Sequence, residues 1–228
     1  MNTQAEEAMN LRFTDELRLA ARGSNCNKAR YFTYTKAELE ALKKKDKRLS
    51  ALIDRYGIIE REVNSDVFSA LVGSIISQQI SRKAAVTVKD RLLEVCGEIT
   101  PTKINEVDIS EIQKCGMSLR KAGYVKAIGE AVYRGEVDLS ILDVTPDAAF
   151  IDLLSTLPGI GVWTAEMLLI FSLGRMDVLS YGDLGIRRGL CKLYGHKTLT
   201  KEQFVRYKKR YSPYGSIASL YLWQLSTE

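Results

Sequence analysis

Asp183 occupies a position in which an aspartate could support chemistry. It lies within Tyr181-Gly182-Asp183-Leu184-Gly185, at the predicted start of a helix. Aspartate is common there because its carboxylate accepts hydrogen bonds from the first backbone N–H groups of the helix, so N-capping alone would explain the residue. Capping would also fix the carboxylate and keep it ionised. The structural and the chemical roles are therefore compatible.

Histidine and cysteine chemistry is not expected. The one histidine, His196, lies in a turn-like segment between a glycine and a lysine. The four cysteines are far apart in the chain and include no Cys-x-x-Cys pair: Cys26, Cys96, Cys115 and Cys191. We therefore do not expect structural zinc, an iron–sulfur cluster or a disulfide framework. We expect the cysteines to be buried free thiols.

The segment LPGIG at residues 157–161 predicts a tight turn between two helices. Pro158 prevents simple continuation of the first helix, and Gly159 and Gly161 allow unusual dihedral angles and a close approach of another backbone. The second helix would begin with its free N–H groups facing outward, which favours an anion such as phosphate, and Thr164 could add a hydroxyl donor. A plain helix–helix corner with glycines for close packing is the alternative.

Almost every other segment has the pattern of a helix. The predicted stretches are 37–45, 46–56, 66–78, 81–97, 118–135, 162–173, 183–194, 200–211 and 213–225, with shorter helices opening near residues 100 and 145. No stretch shows sustained period-two alternation, so a sheet is not expected. Short helices without heptads or a longer repeat favour a compact all-α fold.

The composition permits a nucleic-acid partner without requiring one. Lysine and arginine number 33 against 28 aspartates and glutamates, a net charge of +5. The basic run KKKDKR at residues 43–48 fits either a solvated helix face or a rim facing phosphates. No apolar run is long enough to span a membrane, and residues 1–8 are unlike a signal peptide. We expect a cytoplasmic protein, nucleoid-associated in a bacterial cell.

Several ordered motifs resemble the helix-hairpin-helix (HhH-GPD) DNA glycosylase superfamily, in its alkylpurine branch, to which DNA-3-methyladenine glycosylase II belongs. These motifs are SIISQQIS at 74–81, GMSLRKAGY at 116–124, LPGIGVWTA at 157–165, YGDLGIRRG at 181–189 and the tryptophan of YLW at 221–223. In that family a Gly/Pro-rich loop follows the hairpin helix and ends in a catalytic aspartate. Asp183 lies 20 positions after Trp163, as in the alkylpurine branch. The resemblance covers roughly residues 60–228.

The resemblance implies a set of roles for the reaction. Asp183 would be the catalytic carboxylate, stabilising positive charge as the C1′–N bond breaks and orienting or deprotonating the attacking water. Trp163 stands where strand-cutting relatives carry a Schiff-base lysine, so lyase activity is not expected. Trp163 would stack on a flipped base, with Trp223 as a second aromatic wall and Met167 in the same pocket. A core position is the alternative for Trp223.

The resemblance also implies how DNA is held. Gln79 would fill the gap left by the flipped nucleotide, although a surface polar loop is the alternative. Gly159, Gly161 and Thr164 would contact phosphates. The family often binds a monovalent cation through carbonyls of the hairpin turn, here Ser155, Leu157 and Ile160. The resemblance thus implies a structural Na⁺ or K⁺ ion and no required cofactor. No iron–sulfur cluster is expected, because the cysteine cluster of the endonuclease III-like branch is missing.

The expected architecture is two all-helical lobes with the DNA and base pocket between them. One lobe would be residues 66–182, and the other would combine residues 1–65 with 183–228. The expected activity is monofunctional hydrolysis of the N-glycosidic bond of alkylated bases such as 3-methyladenine, by a monomer acting on damaged double-stranded DNA. The alternatives are a glycosylase for a deaminated or oxidised base and a non-catalytic DNA-binding module.

Overall fold

The computed structural model describes residues 30–228, and residues 1–29, which include Cys26, lie outside this range. The described chain forms twelve α-helices, a short 3-10 helix at Leu139–Ile141 and two very short strands, which confirms the all-α class. The strands are β1 (Arg30–Tyr31) and β2 (Glu62–Val63), and the helices are α1 (Lys36–Lys45), α2 (Lys47–Tyr56), α3 (Val67–Ser77), α4 (Arg82–Cys96), α5 (Pro101–Glu106), α6 (Ile109–Lys114), α7 (Leu119–Tyr133), α8 (Asp147–Ser155), α9 (Val162–Phe171), α10 (Leu184–Tyr194), α11 (Lys201–Tyr211) and α12 (Gly215–Ser226).

The structure confirms the helix boundaries that local signals predict. Thr35 caps α1 and forms a capping box with Glu38. Asp46 caps α2, which ends at Gly57 with a φ of +65°, in the left-handed region that favours glycine. Capping side chains also begin three further helices, namely Ser81 for α4, Ser118 for α7 and Thr200 for α11.

The expectation of no sheet is wrong at one place. Strands β1 and β2 pair antiparallel, and the Phe32 N–H extends the pairing by donating to the Arg61 carbonyl at 2.7 Å. Strands of two residues cannot display the alternation over roughly four to eight residues by which a strand is recognised. This small sheet is therefore a tertiary contact that the sequence pattern does not reveal.

Helix α9, which follows the glycine turn, lies in the core. Its residues Thr164, Ala165 and Met167–Phe171 are all buried, so from Thr164 onward Glu166 is the one residue of the helix that is not fully buried. A helix of this kind is stable only when it is surrounded by other elements. Packing against α3 and α8 therefore fixes the position of the helix that begins at the turn.

The C-terminal helices pack closely on one another and on the N-terminal ones. A Cβ added to Gly189 of α10 would lie 2.3 Å from the Leu222 carbonyl oxygen of α12, so only glycine allows this approach. Asp46 accepts hydrogen bonds of 2.6 Å from the Tyr194 hydroxyl and from Arg210 Nη1. These contacts join both ends of the described chain, while the division into two lobes stays a prediction.

Part of the basic run at 43–48 is bound within the protein. Lys43 pairs with Glu40 at 3.0 Å and with Asp54 at 2.8 Å. Lys45 donates to the Ser212 carbonyl. These contacts favour a structural helix face, and the alternative of a phosphate-facing rim stays a prediction.

The histidine and the described cysteines take structural positions. His196 Nε2 lies 2.6 Å from the Tyr207 hydroxyl. Cys96 and Cys115 are buried free thiols as predicted, whereas Cys191 is a free thiol that is only partly buried. Residues 30–228 contain no group of three or more histidine, cysteine, aspartate or glutamate side chains placed to hold a metal ion. Among these residues, no helix combines the length and apolar character needed to cross a membrane.

Candidate active site

Asp183 is the N-cap of α10, as the sequence predicts. Its Oδ1 atom accepts a hydrogen bond of 2.8 Å from the Ile186 backbone N–H, and the residue is only 1% exposed. A buried carboxylate must be hydrogen-bonded to be tolerated, so capping accounts for part of its environment. It does not account for the whole of it.

Two indole rings converge on the same carboxylate. Trp163 Nε1, from the first turn of α9, donates to Asp183 Oδ2 at 2.9 Å. Trp223 Nε1, from α12, donates to Asp183 Oδ1 at 2.9 Å. Together with the Ile186 N–H, these donors fix both oxygens of the carboxylate. The sequence singles out all three side chains, but this hydrogen bonding was not predicted for either tryptophan.

Opposing effects set the protonation of Asp183. Burial raises the pKa of its carboxyl above the ordinary value, while hydrogen bonds from the Ile186 and Gly185 backbone and from the Trp163 and Trp223 side chains act in the other direction. Three fixed donors suit the ionised form, since a carboxylate offers about four acceptor sites. Of the hydrogen bonds from Ile186, Trp163 and Trp223, only that from Trp163 goes to Oδ2, so this oxygen could also receive a water proton or face a developing positive charge.

A glycine makes room for one of the two indole rings. A Cβ on Gly185 would lie 2.8 Å from Trp223 Cδ1, so a side chain there would displace the ring. A Cβ on Gly182 would lie 3.6 Å from Trp163 Cβ, an ordinary contact. Gly185 therefore has a definite steric task, which the sequence does not reveal.

Glu166 is a further site residue that sequence reasoning missed. Its Oε2 accepts a hydrogen bond of 2.5 Å from the Ser180 hydroxyl, three residues before Asp183. Burial raises the pKa of Glu166, the charge of Asp183 acts in the same direction, and Ser180 and Lys208 oppose them. Glu166 follows Trp163 by three positions on α9, so both side chains lie on one helix face and hold the segment ending at Asp183. That spacing is the signal that could have found it.

The residues expected to form the base pocket differ in accessibility. Trp163 is partly exposed and could offer a ring face to a base. Trp223 is 6% exposed, with its ring centroid 5.5 Å from that of Phe171, which favours the core alternative. Met167 is 1% exposed within the core, which weighs against its predicted place in the base pocket. Its side chain fills space among the helices that surround α9.

The two turn glycines have different roles. Gly159 has a φ of +81°, and a Cβ there would lie 2.5 Å from Tyr124 Cδ2 and 2.8 Å from Ile75 Cδ1. Gly161 has a φ of −108°, and a Cβ there would meet nothing within 4 Å. Gly159 is thus required by the fold, whereas the space beside Gly161 is open to an external group.

The start of α9 keeps its predicted capacity for an anion. Gly161 is its N-cap and offers no side chain to cap the first N–H groups. Such groups attract a phosphate through their hydrogens and the helix dipole. Thr164 is 6% exposed, which weighs against the predicted hydroxyl contact and leaves the backbone as the feature that could bind phosphate.

We expect Gly161→Ala to weaken binding of alkylated and undamaged duplexes by a similar factor, because a Cβ would block a phosphate and phosphate contacts carry no base information. The substitution should not tilt α9, since the space is open, and should leave the thermal midpoint equal or slightly higher. Equilibrium binding at matched salt measures the first effect. Gly159→Ala is the contrasting variant and should lower the midpoint. If Gly161→Ala binds undamaged duplex as tightly as wild type, the turn is a helix–helix corner that does not contact phosphate.

Two of the residues expected to hold a cation have an oxygen with free acceptor capacity. Ser155 ends α8, and its Oγ atom is buried without a hydrogen-bond partner. The Leu157 carbonyl accepts from the Ile160 N–H at 3.1 Å and keeps a second lone pair. An orphaned oxygen at the end of α8, two residues before the Leu157 carbonyl in sequence, is compatible with an alkali cation, which carbonyl oxygens can coordinate in place of water.

Gln79 lies at the end of α3 in an unusual conformation. It is exposed, and its φ of +59° makes it the one non-glycine residue of the described chain in the left-handed region. Strained residues of this kind concentrate at functional sites. The neighbouring Gln78 side chain donates to the Gly159 carbonyl at 2.9 Å, which brings this loop beside the glycine turn.

Comparisons with known proteins agree on one family. The model of the HhH-GPD superfamily base excision DNA repair proteins matches residues 72–213. The chain is 34% identical to DNA-3-methyladenine glycosylase 1 of Schizosaccharomyces pombe over 199 residues, which is 84% of this chain and 87% of that protein.

Two solved structures extend the likeness to three dimensions. The DNA-3-methyladenine glycosidase of Bacillus halodurans has a TM-score of 0.79 and 35% identity, over 86% of this chain and 92% of its own. The 3-methyladenine DNA glycosylase Mag1 of Schizosaccharomyces pombe, in complex with abasic DNA, has a TM-score of 0.72 and 32% identity, over 85% of this chain and 98% of its own. The chain belongs to the HhH-GPD superfamily of base excision DNA repair proteins.

Proposed function

We propose that this chain hydrolyses the N-glycosidic bond of alkylated bases in DNA, of the 3-methyladenine type, as a step of base excision repair. The observation that carries the proposal is the Asp183 carboxylate, fixed by three N–H donors beside the first turn of α9. The relatives named DNA-3-methyladenine glycosylase support this choice of substrate.

The site supports a simple division of labour in the reaction. The hairpin would hold phosphates, the base would be flipped out of the duplex, and the exposed part of the Trp163 ring would stack on it. Positive charge then develops on the sugar as the C1′–N bond breaks, and the ionised Asp183 stabilises it and orients water. An alkylated purine is already electron-poor, so it leaves without a strong general acid.

We also propose that the enzyme is monofunctional, because a tryptophan stands where a strand-cutting relative has its lysine nucleophile. The product should be an intact strand with an abasic site, cut only by later alkali or an endonuclease. Borohydride treatment during the reaction measures this directly, since it traps a Schiff base as a covalent protein–DNA adduct. A trapped adduct in useful yield would contradict the proposal, and Lys208→Met would then test the lysine beside Glu166 as its source.

Two alternatives remain distinct in their expected behaviour. A glycosylase for deaminated or oxidised bases would release those from a panel of lesion duplexes and spare alkylated ones. A non-catalytic module would bind DNA and release nothing. The buried, triply hydrogen-bonded Asp183 favours an enzyme, because a pure DNA binder gains nothing from a carboxylate near a polyanion. A base-release assay on alkylated DNA is the decisive experiment.

The remaining proposals concern partners and ions. Double-stranded DNA with a damaged base is the proposed partner, bound by a monomer in the cytoplasm alongside the chromosome. We propose that Ser155, Leu157 and Ile160 hold a Na⁺ or K⁺ ion that stabilises the turn and adds positive charge near a phosphate. No cofactor takes part in the proposed reaction, and no iron–sulfur cluster is proposed.

A further inference from the structure

The loop of residues 78–80, which we call the wedge loop, requires contacts from other elements to hold its backbone conformation. Gln79 adopts its left-handed conformation in an exposed position. A non-glycine residue leaves this region readily unless the surrounding structure over-determines it. Some neighbouring group must therefore fix the backbone on either side of Gln79.

Lys121 of α7 provides one such support. Its Nζ atom donates to the Ile76 carbonyl at 2.8 Å and also to the Gln78 carbonyl. These carbonyls lie at the end of α3, where the helix leaves acceptors without backbone donors and where a cation also opposes the helix dipole. Lys121 thereby closes the end of α3 and fixes the peptide that precedes Gln79.

The glycine turn provides the second support. The Gln78 side chain donates to the Gly159 carbonyl at 2.9 Å. Tyr124 lies one turn after Lys121 on α7, and its ring packs so closely against Gly159 that a Cβ would lie 2.5 Å from it. One face of α7 therefore carries both the support of the wedge loop and the contact that positions the turn.

We propose that Lys121 and Gln78 are positioning residues that hold Gln79 in fixed register with the hairpin. Phosphate contact at the turn then places Gln79 at the duplex position from which a base is extruded, without a separate rearrangement of the loop. This inference rests on the proposed function, and it assigns a task to two residues that touch neither the base nor the reacting atoms.

The test compares Lys121→Met with Lys126→Met, a matched control on the same helix. Lys126 Nζ likewise donates to main-chain carbonyls, at 2.6 Å to Asn105 and 2.9 Å to Val107, but these cap α5. Each variant loses one charge and one set of helix-capping bonds. The probes are a duplex with a tetrahydrofuran abasic analogue and the matching undamaged duplex, measured by fluorescence anisotropy at equal salt.

We expect Lys121→Met to lower the preference for the abasic duplex by about tenfold, the equivalent of a lost hydrogen bond to a charged group. Lys126→Met should leave that preference within about twofold of wild type, because its loss acts through general stability alone. Lys121→Arg keeps a cationic donor and should therefore retain most of the wild-type preference for the abasic duplex. Equal losses in the two methionine variants, or no loss in Lys121→Met, would overturn the proposal.

A double-mutant cycle with Gln79→Ala tests whether Lys121 acts through Gln79. The combined variant should bind the abasic duplex no worse than Gln79→Ala alone, because the supported side chain is already gone. Additive losses would overturn the proposal. If Lys121→Met does not fold, Gln78→Met removes the other support and enters the same cycle. Abasic binding requires no base release, so an inactive wild type would refute the proposed function while leaving this test intact.

Discussion

Replacing Asp183 by asparagine is expected to reduce single-turnover release of alkylated bases by a factor of about 10²–10⁴, while DNA binding persists. Asparagine keeps an oxygen for the Ile186 N–H and the Trp223 indole but has no charge to oppose the positive charge of the transition state. Its amide nitrogen also cannot accept from Trp163 Nε1, which donates to Oδ2 in the wild type. Release from an alkylated duplex under enzyme excess measures the effect.

The control for Asp183→Asn is structural. Far-ultraviolet circular dichroism should stay close to wild type, because asparagine is as good an N-cap as aspartate. Wild-type rates of release would discard the catalytic assignment. A loss of helicity together with the loss of rate would instead favour capping as the main role of Asp183.

The pH dependence of the reaction follows from the same group. Because burial raises the pKa of Asp183, the carboxylate takes up a proton at a higher pH than an exposed aspartate. The ionised form is required, so the rate should fall as pH decreases through this raised pKa, above the ordinary aspartate value of about 3.9. The folded state binds this proton more tightly than the unfolded state, so this group favours stability at low pH and disfavours it above the raised pKa. A rate profile with its acid limb near the ordinary value would contradict this.

Trp163→Phe is expected to have the second largest effect on the rate, about 10–100-fold, because it removes one hydrogen bond to a charged group. The substitution keeps an aromatic face for stacking on a flipped base. Capture of the damaged base should therefore change little while the chemical step slows. Trp163→Ala should slow base release and should also weaken binding of the flipped base, since stacking on an aromatic ring contributes about 1–3 kcal/mol.

Trp223→Phe is the matched variant for Trp163→Phe, since each tryptophan gives one hydrogen bond to Asp183. Both should slow the chemical step, and neither should affect undamaged DNA. Separate measurements of duplex affinity and single-turnover rate distinguish binding from chemistry. A Trp163→Phe enzyme with a wild-type rate would show that the indole N–H is dispensable and that Trp163 acts by stacking alone.

The sequence by itself determined the local features of this protein. The capping box of Thr35 and Glu38, the helix end at Gly57 and the cap at Asp183 all depend on hydrogen bonds or dihedral angles within a few residues. Such signals act over a few residues, so they can be recognised in a single sequence. The turn at 157–161 can be recognised for the same reason, and its spacing from Asp183 indicated the family.

Only the tertiary structure decided how the site is assembled. Trp163 and Trp223 lie on helices far apart in the chain, and Trp223 reaches Asp183 because Gly185 and Gly189 let α10 and α12 approach closely. The pairing of β1 with β2 and the burial of Met167 depend equally on distant partners. Helical periodicity shows which face is apolar, but not which element covers it, because that is settled by packing of the whole core. The residues of the site were therefore predictable singly, and their mutual contacts were not.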